Sequence, residues 1–256
     1  MEQPFEAAHA VQRTLRTTVV RRPKTKAVFV VAPSAPKRDR AVLPVVDQPE
    51  IVERHKVLAS EVLGLLPKQC QAQLKHFYVR YDKPERRGLA GNNVIIIDGT
   101  MPDDEFRAVL IHEALGHLFD VGCLMGNEDA GASAFLDGSL PIYNDDPSLA
   151  FYRISWTSSQ KKRPNTNAQD FVSGYAETDP FEDLAESATY FLLHRRAFRE
   201  RARKNVALAT KYKWLEAFLP AASSVEANDT TAWKGIVPWD ITKLPYAWRS
   251  ATLAKK

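Results

Sequence analysis

Cysteine is scarce in this 256-residue chain: Cys70 and Cys123 are the only two. Two thiols cannot build the multi-bridge framework that substitutes for a core in small secreted domains, and they fit a reducing compartment, such as the cytoplasm, or a protein indifferent to redox. Long apolar runs are also missing. No stretch approaches the roughly 18 residues that a membrane-spanning helix needs, so no span is expected. The N-terminus has no short basic region running straight into an apolar one, and "AVFVVAP" (27–33) lies too deep and is too short, so no secretory signal is expected. Internal repeats and low-complexity tracts are lacking as well.

What remains is the composition of a globular protein with a sizeable core: 45% hydrophobic and 26% charged residues. The net charge of +4 is unevenly spread. Residues 1–40 hold nine Arg and Lys against Glu2, Glu6 and Asp39, a local +6, which leaves the other 216 residues at −2. A second basic cluster joins Arg195, Arg196, Arg199, Arg201, Arg203 and Lys204. A basic arm and a solvated helix face account for this pattern without a nucleic-acid partner.

Residues 1–48 are Arg- and Thr-rich, broken by Pro23, Pro33, Pro36 and Pro44, and read as a basic, flexible leader. A globular domain is expected over 49–219 and a wrapping tail over 220–256. Within the domain, "PEIVERHKVLASEVLGLLP" has helical apolar spacing, "KHFYVRYD" (75–82) alternates like a strand, and "VIIID" (94–98) reads as another. An amphipathic helix follows over about 103–122. The Gly-, Asn-, Asp- and Ser-rich stretch 126–170 has no long period and is expected to be an irregular loop covering a cleft. A single long helix over 179–205, acidic at its start and basic at its end, completes an α+β arrangement.

The chemistry concentrates in "LIHEALGH" (110–117). A zinc site needs imidazoles or carboxylates converging on one point with a position left open for water. The usual peptidase motif spaces its histidines four apart on one helix face. His112 and His117 are five apart, which on a regular α-helix puts them about 140° from each other. A π-turn absorbs one extra residue and would return both rings to one face. Gly116 tolerates distorted backbone there, and Glu113 would face the open position as a general base. A second acidic segment, "SGYAETDPFEDLAES" (173–187), supplies carboxylates from another helix.

With these two segments in hand, the chain resembles the gluzincin metallopeptidases. H-E-x-x-G-H followed by E-x-x-A-E resembles dipeptidyl peptidase III, whose motif carries the same additional residue. The S-x-Y-A-x-T-x-x-x-E-D-x-A-E pattern is similar to the third-ligand region of anthrax lethal factor and the Pro-Pro endopeptidases. The resemblance covers about 11 residues around the first motif and about 20 around the second. It implies a zincin-like single catalytic domain with a small antiparallel or mixed sheet, an HExxxH helix and a second Glu-bearing helix. It implies Zn²⁺ held by His112, His117 and Glu182, with Glu113 as base and Tyr175 steadying the tetrahedral intermediate. Glu186 would orient a histidine, and Asp120 has a counterpart in the lethal-factor group.

Other residues carry blander expectations. Cys123, six after His117, reads as a buried structural thiol rather than a ligand. Glu177 and Asp183 read as solvated or capping carboxylates, and His9, His55, His76 and His194 as ordinary surface or core histidines. The apolar run of "NNVIIID" (92–98) is compatible both with an edge strand on which an extended substrate adds and with simple core. The function expected is zinc-dependent hydrolysis of a peptide or protein. Two rivals are a peptidase-fold binding protein whose extra residue spoils the site, and a protease of nucleic-acid-associated proteins.

Overall fold

Apolar spacing from Glu53 to Leu63 makes α1, which buries Leu58, Ala59, Val62 and Leu63. Pro67 starts α2 (Lys68–Gln73), whose inward residue is Cys70. β1 (His76–Arg80) buries Phe77 and Val79 and exposes the residues between, the period of two that a half-buried strand requires. β2 (Gly88–Ala90) and β3 (Val94–Asp98) complete a three-stranded sheet ordered β1–β3–β2, with β1 parallel and β2 antiparallel to β3. The sheet is therefore mixed, and the architecture is α+β. In this computed structural model the described residues are 42–219, 226–228 and 239–249, which belong to the unit Asp39–Lys256. Residues 1–41 of the leader, His9 among them, and most of the 220–256 tail lie outside them. Val46 at the leader's end is fully buried in the core.

The edge reading of the 92–98 segment is corrected: it forms β3, the centre strand, and the strand at the edge beside it is β2. Ile95 and Ile97 are completely buried, and a continuous apolar run suits a strand paired on both sides. Next come α3 (Asp103–Ile111), a π-helical segment (His112–Leu118) and α4 (Phe119–Cys123), end to end as one helix.

The 126–170 stretch is not irregular. It folds into a hairpin of β4 (Ala132–Asp137) and β5 (Leu140–Tyr143), then α5 (Ser148–Ser155), then β6 (Trp156–Ser158) paired with β7 (Lys161–Lys162). Its polar residues are turn chemistry between short elements, as at Gly138 with φ +58°. Its aromatics Phe135, Phe151, Tyr152 and Trp156 are core. Of this stretch, Asp137 alone lines the cleft described below among the described residues.

α6 (Pro180–Leu193) starts at a strong signal: Asp179 accepts the N–H groups of Phe181 and Glu182, and Pro180 sits at the first helical position. The single helix expected over 179–205 breaks at His194 (φ −131°, ψ 38°) and resumes as α7 (Arg195–Ala202), followed by α8 (Val206–Phe218). The basic cluster is not simply solvated either. Arg201 donates to the carbonyls of Phe171 (2.6 Å) and Val172 (2.8 Å), and Arg199 to the Tyr212 hydroxyl (3.2 Å). Asp183 departs furthest from expectation. It is fully buried, bonded by Lys211 (2.8 Å) and by the Trp156 indole (3.1 Å), and Lys211 is equally buried. A paired charge of this kind is strongly destabilising to break from one side.

Near the C-terminus, a short 3-10 turn (Ile241–Lys243) buries Ile241 and Thr242, and β9 (Ala247–Arg249) pairs with β8 (Glu226–Asn228). The two cysteines are also a correction. They form a disulfide between α2 and α4, so Cys123 is a bridge residue rather than a free structural thiol. Spacing 53 residues apart in the chain gave no sign that α2 and α4 would meet. By the chain-entropy argument a loop of that length stabilises by about 4 kcal/mol. Urea unfolding of the Cys70→Ser/Cys123→Ser protein should give a stability lower by about that amount, and reductant should leave that variant's midpoint unmoved while lowering the wild type's.

Candidate metal centre

An i→i+5 turn places residues five apart on one side of a helix, and His112 and His117 open and nearly close the π-helical segment. Their ring centroids are 5.0 Å apart, with planes at 68°. Both Nε2 atoms approach the same oxygen, Glu182 Oε2, at 3.0 Å from His112 and 3.4 Å from His117. Three donor atoms thus crowd together, all within 4.8 Å, and the group could hold a metal ion. It is the one such group among the described residues.

Gly116 makes this convergence possible. A Cβ on it would lie 2.4 Å from the Ala185 Cβ and 2.5 Å from its Cα, so the π-segment and α6 touch backbone to backbone. Glu182 lies one turn before Ala185, in the first turn of α6, and the close approach carries its carboxylate to the imidazoles.

The electrostatics agree. Burial would lower both imidazole pKa values, but the adjoining carboxylates outweigh it: Glu182 and Glu186 hold His112 well above its ordinary value, and Glu182 raises His117. Burial would raise Glu182, and the two imidazoles instead hold it well below the usual carboxylate range. Donors that each stabilise positive charge at one point are what a cation site requires.

Glu186 is fully buried and holds His112 from behind, with Oε1 3.2 Å from Nδ1. An Nδ1–H donated to Glu186 leaves the Nε2 lone pair for a metal. Oε2 of Glu186 accepts in turn from the Ser173 hydroxyl and from the Ile241 N–H (2.8 Å). The Tyr175 hydroxyl donates to Glu182 Oε1 (2.9 Å), and burial, reinforced by Glu182, keeps the phenol protonated far above neutral pH. Glu113 is buried beside the cluster. Burial raises its carboxyl pKa, while His112, His117 and the Ala90 N–H on β2 draw it back. Asp120 is buried and accepts from Tyr152, and its Oδ1 has no hydrogen-bond partner among the described residues. Burial lifts its pKa to about 7.

Asp120 does not line the cleft of about 680 Å³ into which the other groups open, walled by β2 at Gly88–Ala90 on one flank and by Trp239, Asp240 and Lys243 elsewhere. The residues that sequence reasoning singled out thus meet in one place: His112, Glu113, His117, Tyr175, Glu182 and Glu186. His55 bonds Tyr81 (2.9 Å) and stacks on Phe106, away from the cleft lining, and Glu177 pairs with Lys162 (2.7 Å). Ser173, the Ile241 amide and Trp239 were missed. The serine stood inside the quoted "SGYAET" segment and was readable as a hydroxyl near a buried carboxylate, whereas a backbone amide and a tail tryptophan carry no spacing signal. No protein-family model, no curated protein and no solved structure matches the chain.

Gly116→Ala tests the geometry. The added methyl must push α6 away, at a cost of about 1–3 kcal/mol in packing. The variant should remain folded by circular dichroism while its affinity for divalent metal falls at least tenfold in a competition titration; unchanged affinity would show that the close approach does not build the site.

Proposed function

We propose that the chain is a zinc-dependent metallopeptidase with a zincin-like catalytic domain, its ion held by His112, His117 and Glu182. The observation that carries this reading is the π-helical segment, which takes up the extra residue and turns both imidazoles to one buried carboxylate oxygen. Two imidazoles and one carboxylate are the donor set of catalytic zinc, which keeps a position free for water or substrate. A bound Zn²⁺ supplies Lewis acidity, making water more acidic and a carbonyl more electrophilic.

The chain's own groups supply the rest. Glu113, buried and raised in pKa, accepts the proton of the attacking water and returns it to the leaving amine. Tyr175, protonated at working pH, gives its one O–H to Glu182 in the resting site and, turned from Glu182 to the substrate, donates it to the oxyanion that develops at the carbonyl. Glu186, fixed by Ser173 and Ile241, keeps His112 in one tautomer and orientation. β2, the edge strand over Glu113, offers backbone groups for an extended peptide. The convergence of the imidazoles supports this reading over a peptidase-fold binding protein whose extra residue spoils the site, and cleavage separates the two, since an inactive fold still binds metal.

A peptide-library digest with and without chelator tests the reaction, with cleavage expected only in the metal-loaded protein. His117→Ala should lose stoichiometric zinc by elemental analysis. Glu113→Gln should retain zinc and lose kcat/KM by about 10²–10⁴-fold, and Tyr175→Phe should lose roughly 10²–10³-fold with zinc retained. Full activity in Glu113→Gln would overturn this mechanism.

A further inference from the structure

Trp239 is the most exposed large apolar side chain lining the cleft among the described residues. It is 67% exposed, yet the backbone around it is tightly held. Its carbonyl accepts the Tyr175 N–H at 2.6 Å. Asp240 next to it is buried and bonded to Arg87 at 2.6 Å, and the Ile241 N–H reaches Glu186 at 2.8 Å. These contacts fix the backbone that carries the indole. The ring packs against Gly174, where a Cβ would stand 2.9 Å from its atom Cε3 and 3.1 Å from Cζ3, so a side chain there would displace it. The indole lines the same cleft as Glu113, Tyr175 and Glu182.

We propose that Trp239 forms a subsite for an aromatic side chain of the substrate at a position flanking the scissile bond. The proposal rests on the peptidase reading and names the substrate feature that this chain selects. Trp239 lines the same cleft as Tyr175, the residue placed at the reacting carbonyl, and its carbonyl accepts the Tyr175 N–H, which is the ground for assigning a ring stacked on the indole to a residue flanking the bond that is cut. An exposed flat indole prefers another ring, because offset stacking adds to the gain from apolar burial. The ring is backed by Gly174 and carried on a held backbone, which reduces the ordering entropy lost on stacking. The surrounding lining is polar or charged at Tyr175, Asp240 and Lys243, which leaves the indole as the apolar anchor on this side.

Two matched peptides, one with Phe and one with Ala at the flanking position found by the library digest, provide the test. The metal-loaded wild type should favour Phe over Ala by about tenfold in kcat/KM. Trp239→Ala should bring that ratio close to one, and Trp239→Phe should restore most of it. Calorimetry on the metal-loaded Glu113→Gln protein supplies a reading independent of turnover, with the Phe peptide expected to bind about tenfold tighter than the Ala peptide and equal affinities overturning the subsite. Cleavage without aromatic preference, or a ratio unchanged in Trp239→Ala, likewise overturns the subsite and leaves the peptidase reading standing. Absence of cleavage of any peptide overturns the peptidase reading, and the calorimetric ratio then decides the subsite by itself.

Discussion

Backbone contact between two helices at Gly116 and Ala185 is the constraint from which the centre follows. A carboxylate on one helix reaches imidazoles on another only if the axes come close, and no β-carbon fits at the point of approach. The π-helical segment serves the same end. It keeps Gly116 toward α6 while bringing His112 and His117 onto one side of the helix. An ordinary four-residue spacing would align the histidines without help; the five-residue spacing needs a widened turn. Such turns leave the α-helical hydrogen-bond ladder and persist where surrounding packing holds them. That packing is present: Ala114, Leu115 and Leu118 in the same segment are fully buried.

Behind the donors stands a series of buried polar contacts that fix each element. Glu186 orients His112 and is itself held by Ser173 and the Ile241 amide. Arg201 holds the carbonyls of Phe171 and Val172, just before Ser173. The Asp183–Lys211 pair, with Trp156, ties α6 to α8 and to β6 next to the ligand Glu182. Arg87 joins β2 to Asp240 and Glu105. Buried groups satisfied in this way limit the positions that neighbouring side chains can take, and a site that must present donors to one point benefits from such rigidity.

The parts of the site legible in the sequence were those encoded by short-range spacing. His112, Glu113 and His117 lie on one helix, and the five-residue interval itself asked for a π-turn. The Asp-Pro start of α6 placed Glu182 and Glu186 one turn apart on a second helix, with Tyr175 just ahead of it. Illegible were contacts between distant segments. The Ile241 amide is 55 residues from Glu186 and has no side-chain signature. Asp183 and Lys211 look solvated until two helices and a strand close around them. The turn-rich composition of 126–170 hid two hairpins, because short strands with turn residues between them show no long period. The apolar run of 94–98 fitted a core strand and an edge strand alike, because the strand's own residues do not record that it pairs on both sides.

The disulfide has a consequence for how the centre is assembled. The covalent ring closed by Cys70 and Cys123 encloses β1, β2, β3, α3 and the π-helical segment, and with them His112, Glu113 and His117. Tyr175, Glu182, Glu186 and Trp239 all lie outside it. The line between ring and remainder therefore passes through the donor set, two ligands on one side and one on the other. An ion bound there joins two halves that the chain otherwise connects only through its loops and packing. Its binding energy is then also docking energy between them, so loss of metal should loosen the α6 half against a ring that stays closed.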